Sequence, residues 1–426
     1  MKIYNILIFP GGTEIGLEIY KALYQCKDVK LFSVGENFNN HAPYVFKNYT
    51  IVDSVYTSTW IQQLNDVIDL YKIDYIFPAH DDVIIALSKN CSKINAKFIT
   101  SPIETCLITR SKSRTYDFFH DIVPTPTMYK DLNIITKFPV FVKPDVGQGS
   151  QDTHICHNKQ ELSCVLSNNE DYIVLEYLPG LEYTIDCFSD RECGLLFCKG
   201  RLRSRIRNGI TMNCIVNDNP IFIEYATKIS NKLLLYGAWF FQLKQDFDGV
   251  FKLLEIAPRI AGTMTLNRVL GVNFSLLSLY EQERLPINIL TNKIDIILDR
   301  ALTNHYKCDI QYDCVYVDLD DTLILNNGIN LNLIKFLYQC VNKEKRLILI
   351  TKHNYNLTKI LMKYRIENLF DEIIWVKEDE NKVDYMNESN AIFIDDSFSE
   401  RYNVHEVKQI MTFDCSMIEI LMEELF

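Results

Sequence analysis

Apolar residues come first in a six-residue run, YNILIF at 4–9, followed by the glycine-rich PGGTEIG, by LEIYKALYQC with apolar residues at helical spacing, and by a second apolar run, VKLFSVG. That order predicts a strand, a tight turn, a helix and another strand, the βαβ opening of a parallel sheet. DYIFPAHDD and KFITSP continue the alternation of apolar strands and polar strand-end loops to about residue 107. Glycines 11, 12 and 16 do not make a GxGxxG fingerprint, and a tight strand-to-helix turn accounts for them.

From residue 108 the pattern changes. A helix carrying TRSKSRTYDFF leads through the turn VPTPT into the strands FPVFVK and YIVLEYL, with a glycine-containing loop between them. Strand-rich sequence runs through FCKGRLRSRIRNG, a helix FIEYATKISNKLLLYG follows, and WFFQLKQDFDGVFKLLEIAPR predicts a hairpin turning at FDGV. RALTNHYKCDIQ is polar and irregular, and CVYVDL then begins another alternating segment that continues to the C-terminus. The expected organisation is a multidomain chain of α/β and α+β class: a βαβ domain over 1–107, a second domain over 108–300, a linker over 301–312 and a third domain over 313–426.

Composition narrows the function. With 48% apolar and 23% charged residues in 426, the chain has ample material for two or three cores. A formal net charge of -11 disfavours a general nucleic-acid or anionic-membrane surface and points to small-molecule partners. Thirteen cysteines, an odd number with no CxxC pair, indicate neither a zinc site nor a disulfide framework, and predict reduced thiols in a cytoplasmic protein. MKIYNILIF lacks a cleavage site and no run approaches the ~20 apolar residues a spanning helix needs, so no targeting or membrane segment is expected.

The candidate chemistry lies at strand ends. FVKPDVGQGSQDT places Lys143 at the end of a strand and the small residues Gly147, Gly149 and Ser150 just beyond, where backbone N–H groups can close over phosphate oxygens. LEYLPGLEYTID carries Glu176 at the end of an apolar strand and Glu182 six residues on, acids suited to an adenine edge and to ribose hydroxyls or, equally, to solvated strand ends. The predicted hairpin sets Gln242 on its first strand, Glu255 on its second and Arg259 just after, an amide oxygen, a carboxylate and a guanidinium that suit magnesium and a transferring phosphoryl group.

This ordered series, with Lys112 in TRSKSR, resembles the ATP-grasp superfamily, in its carboxylate–amine ligase and carbamoyl-phosphate-synthase-like branch, over about the first 300 residues. The resemblance implies a βαβ pre-ATP-grasp domain, an ATP-grasp fold, ATP and Mg2+ as cofactors, and ligation of a small-molecule carboxylate to an amine through an acyl phosphate. By residue it implies phosphate contacts from Lys112, Lys143 and the loop, adenine held by Glu176 with the Tyr177 and Leu178 backbone, and ribose held by Glu182. Gln242 and Glu255 would bind magnesium, and Arg259 would stabilise the acyl phosphate. The family usually has asparagine two residues after the metal-binding glutamate, where this chain has Ala257, so one ligand for a second magnesium is missing.

Arg201, Arg203, Arg205 and Arg207 are spaced by two, so an extended strand would point all four to one face, as an anionic-substrate contact or as a charged edge. In the C-terminal segment, YVDLDDTLIL ends a strand in Asp318 and Asp320, RLILITKH ends one in Thr351, NKVDYM supplies Lys382, and AIFIDDSFSER ends a third in Asp395 and Asp396. Paired strand-end carboxylates need a cation or a shared proton, and together with a hydroxyl and a lysine they suit aspartyl-phosphate chemistry. DLDDT, Thr351, Lys382 and IDD resemble the haloacid dehalogenase superfamily across 313–426, which implies a Rossmann-like domain with no room for a cap. The implied roles are Asp318 as nucleophile, Asp320 as general acid and base, Thr351 and Lys382 on the phosphoryl group, and Asp318, Asp320, Asp395 and Asp396 around magnesium. The expected protein is a bifunctional biosynthetic ligase and phosphatase whose partners are a carboxylate, an amine and a phosphorylated small molecule, with a homodimer allowed. The alternatives are an ATP-grasp kinase and a nucleotide sensor with a degenerate C-terminal domain.

Overall fold

The computed structural model describes residues 2–423 apart from 38, 39, 148, 150, 168–170, 304, 305, 307, 308, 354 and 355. It divides into two compact units, Met1–Thr303 and Asn304–Phe426. No helix among the described residues is long and apolar enough to cross a membrane.

The first unit begins with five parallel strands, β1 (Tyr4–Phe9), β2 (Val29–Gly35), β3 (Tyr49–Ile51), β4 (Tyr75–Pro78) and β5 (Lys97–Phe98), in the order β3-β2-β1-β4-β5. Ile6, Leu7 and Ile8 are fully buried, as a strand covered on both faces requires. Thr13 caps the helix Glu14–Leu23 by accepting a hydrogen bond from the Gly16 N–H at 3.0 Å. A Cβ at Gly16 would stand 2.7 Å from the Gly11 carbonyl oxygen, so these glycines serve the close strand-to-helix turn.

The helix expected to carry TRSKSRTYDFF is two helices, Ile103–Arg110 and Lys112–Phe119. Ser111 breaks it: its backbone is extended, and its hydroxyl accepts from Arg114 N at 3.2 Å and donates to Asp145 at 2.6 Å. A serine that can cap and reach a carboxylate does better at a helix start than inside one. The break makes Lys112 the first residue of the second helix.

Two antiparallel sheets follow. The smaller has β6 (Val140–Pro144) between β7 (His154–Cys156) and β8 (Tyr172–Glu176). The larger comprises β9 (Glu182–Asp190), β10 (Gly194–Arg207), β11 (Ile210–Asn217), β12 (Gly237–Gln245), β13 (Phe251–Ala257) and β14 (Ile297–Asp299), ordered β13-β12-β9-β10-β11-β14. The hairpin expected at FDGV is β12–β13, and its register sets Gln242 opposite Glu255. Alternation divides the larger sheet. Tyr183, Ile185, Phe241, Leu243 and Leu253 join Phe222, Ala226 and Ile229 of the helix Pro220–Lys232 in one core, whereas Glu182, Thr184, Gln242, Lys244 and Glu255 lie on the opposite face.

In the second unit β15 (Cys314–Val317), the short antiparallel pair β16 (Ile324–Leu325) and β17 (Gly328–Ile329), β18 (Arg346–Thr351), β19 (Glu372–Trp375), β20 (Ala391–Ile394) and β21 (Met411–Phe413) follow in chain order. The main sheet is parallel, ordered β19-β18-β15-β20-β21. The C-terminal ends of its three central strands therefore lie side by side, which brings residues 318, 351 and 395 to one edge.

Trp239 is fully buried and its indole N–H donates to Ser189 Oγ at 2.9 Å. Trp239→Ala is expected to lower the stability of the first unit by ~3–5 kcal/mol, the usual cost of deleting a core aromatic side chain. Urea unfolding followed by circular dichroism checks it, and a loss under about 1 kcal/mol would contradict so tight a core.

Candidate active sites

The first site is a cleft between the two antiparallel sheets, lined from the smaller by Lys143, Glu176 and Tyr177 and from the larger by Glu182, Gln242 and Glu255. Lys143 lies at the end of β6 with Nζ 3.0 Å from the Tyr116 hydroxyl, and burial pushes its pKa down to about 8 against the pull of Glu255, Glu182 and Asp145. Lys112 donates to the Gly147 carbonyl at 3.0 Å, and burial lowers its pKa while Glu255 opposes the shift. Gly149 meets the tip of the β10–β11 hairpin: a Cβ on Gly209 would come 2.2 Å from the Gly149 carbonyl carbon. The Asn208–Gly209 pair, both with positive φ, makes the tight turn that allows the approach. Ser150 lies outside the described residues.

Glu176 accepts from Thr127 N at 3.0 Å and pairs with Lys252 at 3.4 Å. Leu178 also lines the cleft, and the Gly180 N–H, two residues on, donates to the Gln245 carbonyl at 3.0 Å, which ties the segment between β8 and β9 to the end of β12. Glu182 pairs with Arg203 and with Lys244 at 3.4 Å. Arg203 also donates to Gln242 Oε1 at 3.1 Å. Glu255, opposite Gln242, has no hydrogen-bond or ion-pair partner among the described residues, although its charge acts on Lys112, Lys143 and Arg259. A carboxylate and an amide oxygen on adjacent strands are hard donors, and they fit magnesium held jointly with phosphate oxygens. Ala257, on the same face as Glu255, offers no ligand atom.

Two expectations need correction here. The arginine strand does not keep one face, because bulges between Arg203 and Arg205 and between Arg205 and Ile206 break the alternation. Arg203 alone of the four lines the cleft. Arg201 is buried on Asp186 at 2.9 and 3.0 Å, Arg205 pairs with Asp299 near the surface, and Arg207 is exposed. Arg259 stands beside Glu255 in an adjoining recess, but its fork is taken by Asp81, at 2.5 and 2.9 Å, and Nη1 donates to the Ile260 carbonyl. The acid that holds it starts the helix Asp81–Lys89, and next to it Asp82 pairs with Arg110 at 2.7 Å. Arg110 in turn donates to the Gly147 carbonyl at 3.1 Å. Asp81, Asp82 and Arg110 escaped the sequence reading, although the adjacent acids of HDD at a strand end were the available signal.

The second site lies at the sheet edge of the second unit. Lys382 donates to Asp318 at 2.7 Å and to Asp395 at 2.6 Å, all three groups being buried. Asp318, Asp395 and Asp396 each offer an oxygen within 4.8 Å of the others, a carboxylate set that fits magnesium. Burial pushes the Asp318 carboxyl up to about 7 against Lys382, and Asp395 adds to the rise. The Thr351 hydroxyl is buried with no hydrogen-bond partner among the described residues. Asp320 departs from its expected place around the metal: it lies outside this cluster, and its carboxylate contacts His353 Nδ1 at 2.7 Å. Arg401 donates to the carbonyls of Asp395 and Asp396 at 2.6 and 2.7 Å and so fixes that loop. His353 and Arg401 carried no spacing signal in the sequence.

Residues 168–296 match the family model described as ATP-grasp in the biosynthetic pathway with Ter operon. Over 294 residues, 61% of this chain, the sequence is 23% identical to the carbamoyl phosphate synthase large chain of Thermoanaerobacter sp. (strain X514). The match takes in 27% of that protein, so the chain spans about a quarter of its length. The fold is similar to a biotin carboxylase–β,γ-ATP complex from Campylobacter jejuni, with TM-score 0.58 and 16% identity over 68% of this chain and 74% of that one. It is also similar to N5-carboxyaminoimidazole synthetase from Staphylococcus aureus complexed with ADP, with TM-score 0.57 and 15% identity over 68% and 81%. The first unit has the ATP-grasp fold.

The ATP-grasp cleft brings Lys112, Lys143, Glu176, Glu182, Gln242 and Glu255 together from strands and helices well separated in sequence. Its charge depends on Lys143, which is protonated below about pH 8 and neutral above. Affinity for ADP is therefore expected to fall as pH rises from 8 to 9.5, by at most about tenfold per unit. Lys143→Met should remove that segment of the profile. Calorimetric titration at several pH values checks it, and a flat wild-type profile would place Lys143 away from the phosphates.

Proposed function

We propose that the chain is a bifunctional biosynthetic enzyme in which the first unit is an ADP-forming carboxylate–amine ligase and the second a phosphomonoesterase. The observation that carries the ligase reading is Glu255: a carboxylate with no partner among the described residues, opposite Gln242 and in the field of Lys112, Lys143 and Arg259. Lys112 and Lys143 hold phosphate oxygens, Glu176 and the Tyr177–Leu178 backbone receive adenine, and Glu182 receives ribose. Magnesium, when bound by Glu255 and Gln242, neutralises charge on the transferring phosphoryl group. A substrate carboxylate oxygen attacks the γ-phosphorus and ADP leaves. An amine then attacks the acyl carbon, and phosphate leaves as the amide forms. Arg203 is the one member of the arginine strand placed to meet an anion in this cleft.

The second unit supports hydrolysis through Asp318. The Asp318 carboxylate attacks the phosphoester phosphorus, Asp320 gives a proton to the leaving oxygen and then activates water, and Thr351 and Lys382 hold the phosphoryl oxygens. His353 orients Asp320, and Asp318 with Asp395 and Asp396 suits a magnesium that offsets phosphoryl charge. The occupied fork of Arg259 favours one second reading, a kinase whose acceptor is not an acyl group.

Incubation with ATP, magnesium and pooled carboxylates and amines tests the ligase. ADP with an amide product is expected, a phosphorylated product would select the kinase, and AMP with pyrophosphate would sink both. Glu255→Gln should lower kcat by about tenfold or more and leave the KM for ATP within about threefold, because the metal charge matters most in the transition state. Asp318→Asn should abolish release of phosphate from an aryl phosphate and spare ligation, and Lys143→Ala should do the reverse. A phosphatase activity that survives Asp318→Asn would remove the aspartyl-phosphate route.

A further inference from the structure

We infer that the ATP-grasp cleft binds its nucleotide with one divalent cation, and that the guanidinium of Arg203 stands where a second ion would otherwise be needed. The inference rests on the nucleotide reading of the cleft and goes beyond it in fixing the metal count and its cause. Two ions about 3.5–4 Å apart on a polyphosphate are held by phosphate oxygens, waters and protein carboxylates, and a pair is favoured where more than one unpaired carboxylate faces the site. The acids around this cleft do not meet that condition. Glu176 is paired with Lys252, Glu182 with Arg203 and Lys244, and Asp81, in the adjoining recess, with Arg259. That leaves Glu255 as the one acid lining the cleft without a cationic partner among the described residues.

The neutral donors point the same way. Gln242 Oε1, which with Glu255 would hold the one ion, also accepts from Arg203 Nη1 at 3.1 Å, so both of its lone pairs are committed and none is left for a second ion. Ala257, two residues along the same strand face, contributes a methyl group. Arg203 is held in this position by donating from Nε to Thr211 Oγ1 at 2.7 Å and from Nη2 to the Gly209 carbonyl at 2.6 Å. Its head is therefore a fixed positive charge that touches both Glu182 and Gln242. A second dication would have to displace it or sit against it, and repulsion between like charges in a partly buried cleft opposes that. A guanidinium supplies the same sign of charge with no dehydration of an ion.

The test counts metal and does not depend on turnover. The full chain is saturated with AMPPNP, Mn2+ is added, and the free ion is measured by electron paramagnetic resonance while bound nucleotide is measured by equilibrium dialysis. One Mn2+ per bound AMPPNP is expected for the wild type. Arg203→Met keeps the aliphatic stem but removes the guanidinium from Gln242 and from Glu182, which then faces Lys244 alone, and its count should rise to two. Two ions on the wild type overturn the count, and a value of one that persists in Arg203→Met overturns the role given to Arg203. Bound nucleotide in the same dialysis cell shows that the variant is folded. Absence of AMPPNP binding by the wild type would overturn the nucleotide reading itself and the count with it, an outcome distinct from binding with the wrong number of ions.

Discussion

Charge compensation on one face of the larger antiparallel sheet is the constraint on which the cleft depends. Alternation buries Ile185, Phe241 and Leu243 on one side and leaves Glu182, Gln242, Lys244 and Glu255 on the other. Charges in a partly closed cleft are costly unless paired, and pairing is what the structure shows at almost every position. Lys252 meets Glu176, Arg203 and Lys244 meet Glu182, and Arg259 meets Asp81. Glu255 is the exception: among the described residues it has no cationic partner, and it lies opposite Gln242 in the cleft.

The same economy reaches the loop around Gly147. The Gly147 carbonyl accepts from both Lys112 and Arg110, while Asp82 holds Arg110 from the neighbouring parallel-sheet region. Asp81 and Asp82 belong to a helix that follows β4, so the first sheet contributes the anions that steady the cations of the cleft. The first unit's cleft region is thereby tied to the helix after β4 by Arg110, which gives two N–H groups to Asp82 Oδ1, and by the bidentate Arg259–Asp81 pair, whose geometry sets the guanidinium plane.

In the second unit a different device concentrates charge. Parallel strands end at one edge, so Asp318 after β15 and Asp395 after β20 are brought together without any local sequence relation. Lys382 lies between them and keeps two buried carboxylates compatible. The price is a raised Asp318 pKa, the expected result of burial beside a second acid.

Legibility followed the range of the interaction. Strand runs, the β12–β13 hairpin with Gln242 facing Glu255, and the strand-end acids at 318 and 395 could be read because period, turn residues and apolar length are local properties of the chain. Ser111 shows the limit of local reading, since its capping bond competes with helix continuation and is reinforced by Asp145, 34 residues away. The spacing of the four arginines was legible, but two bulges, visible only in the pairing with β11, sent Arg205 and Arg207 out of the cleft. Asp81 reaches Arg259 across 178 positions and His353 reaches Asp320 across 33. By itself the sequence determined which residues could carry charge to a strand end. Only the tertiary structure decided which of those charges are cancelled and which, like Glu255, have no cationic partner among the described residues, because pairing energy depends on distance in space and not along the chain.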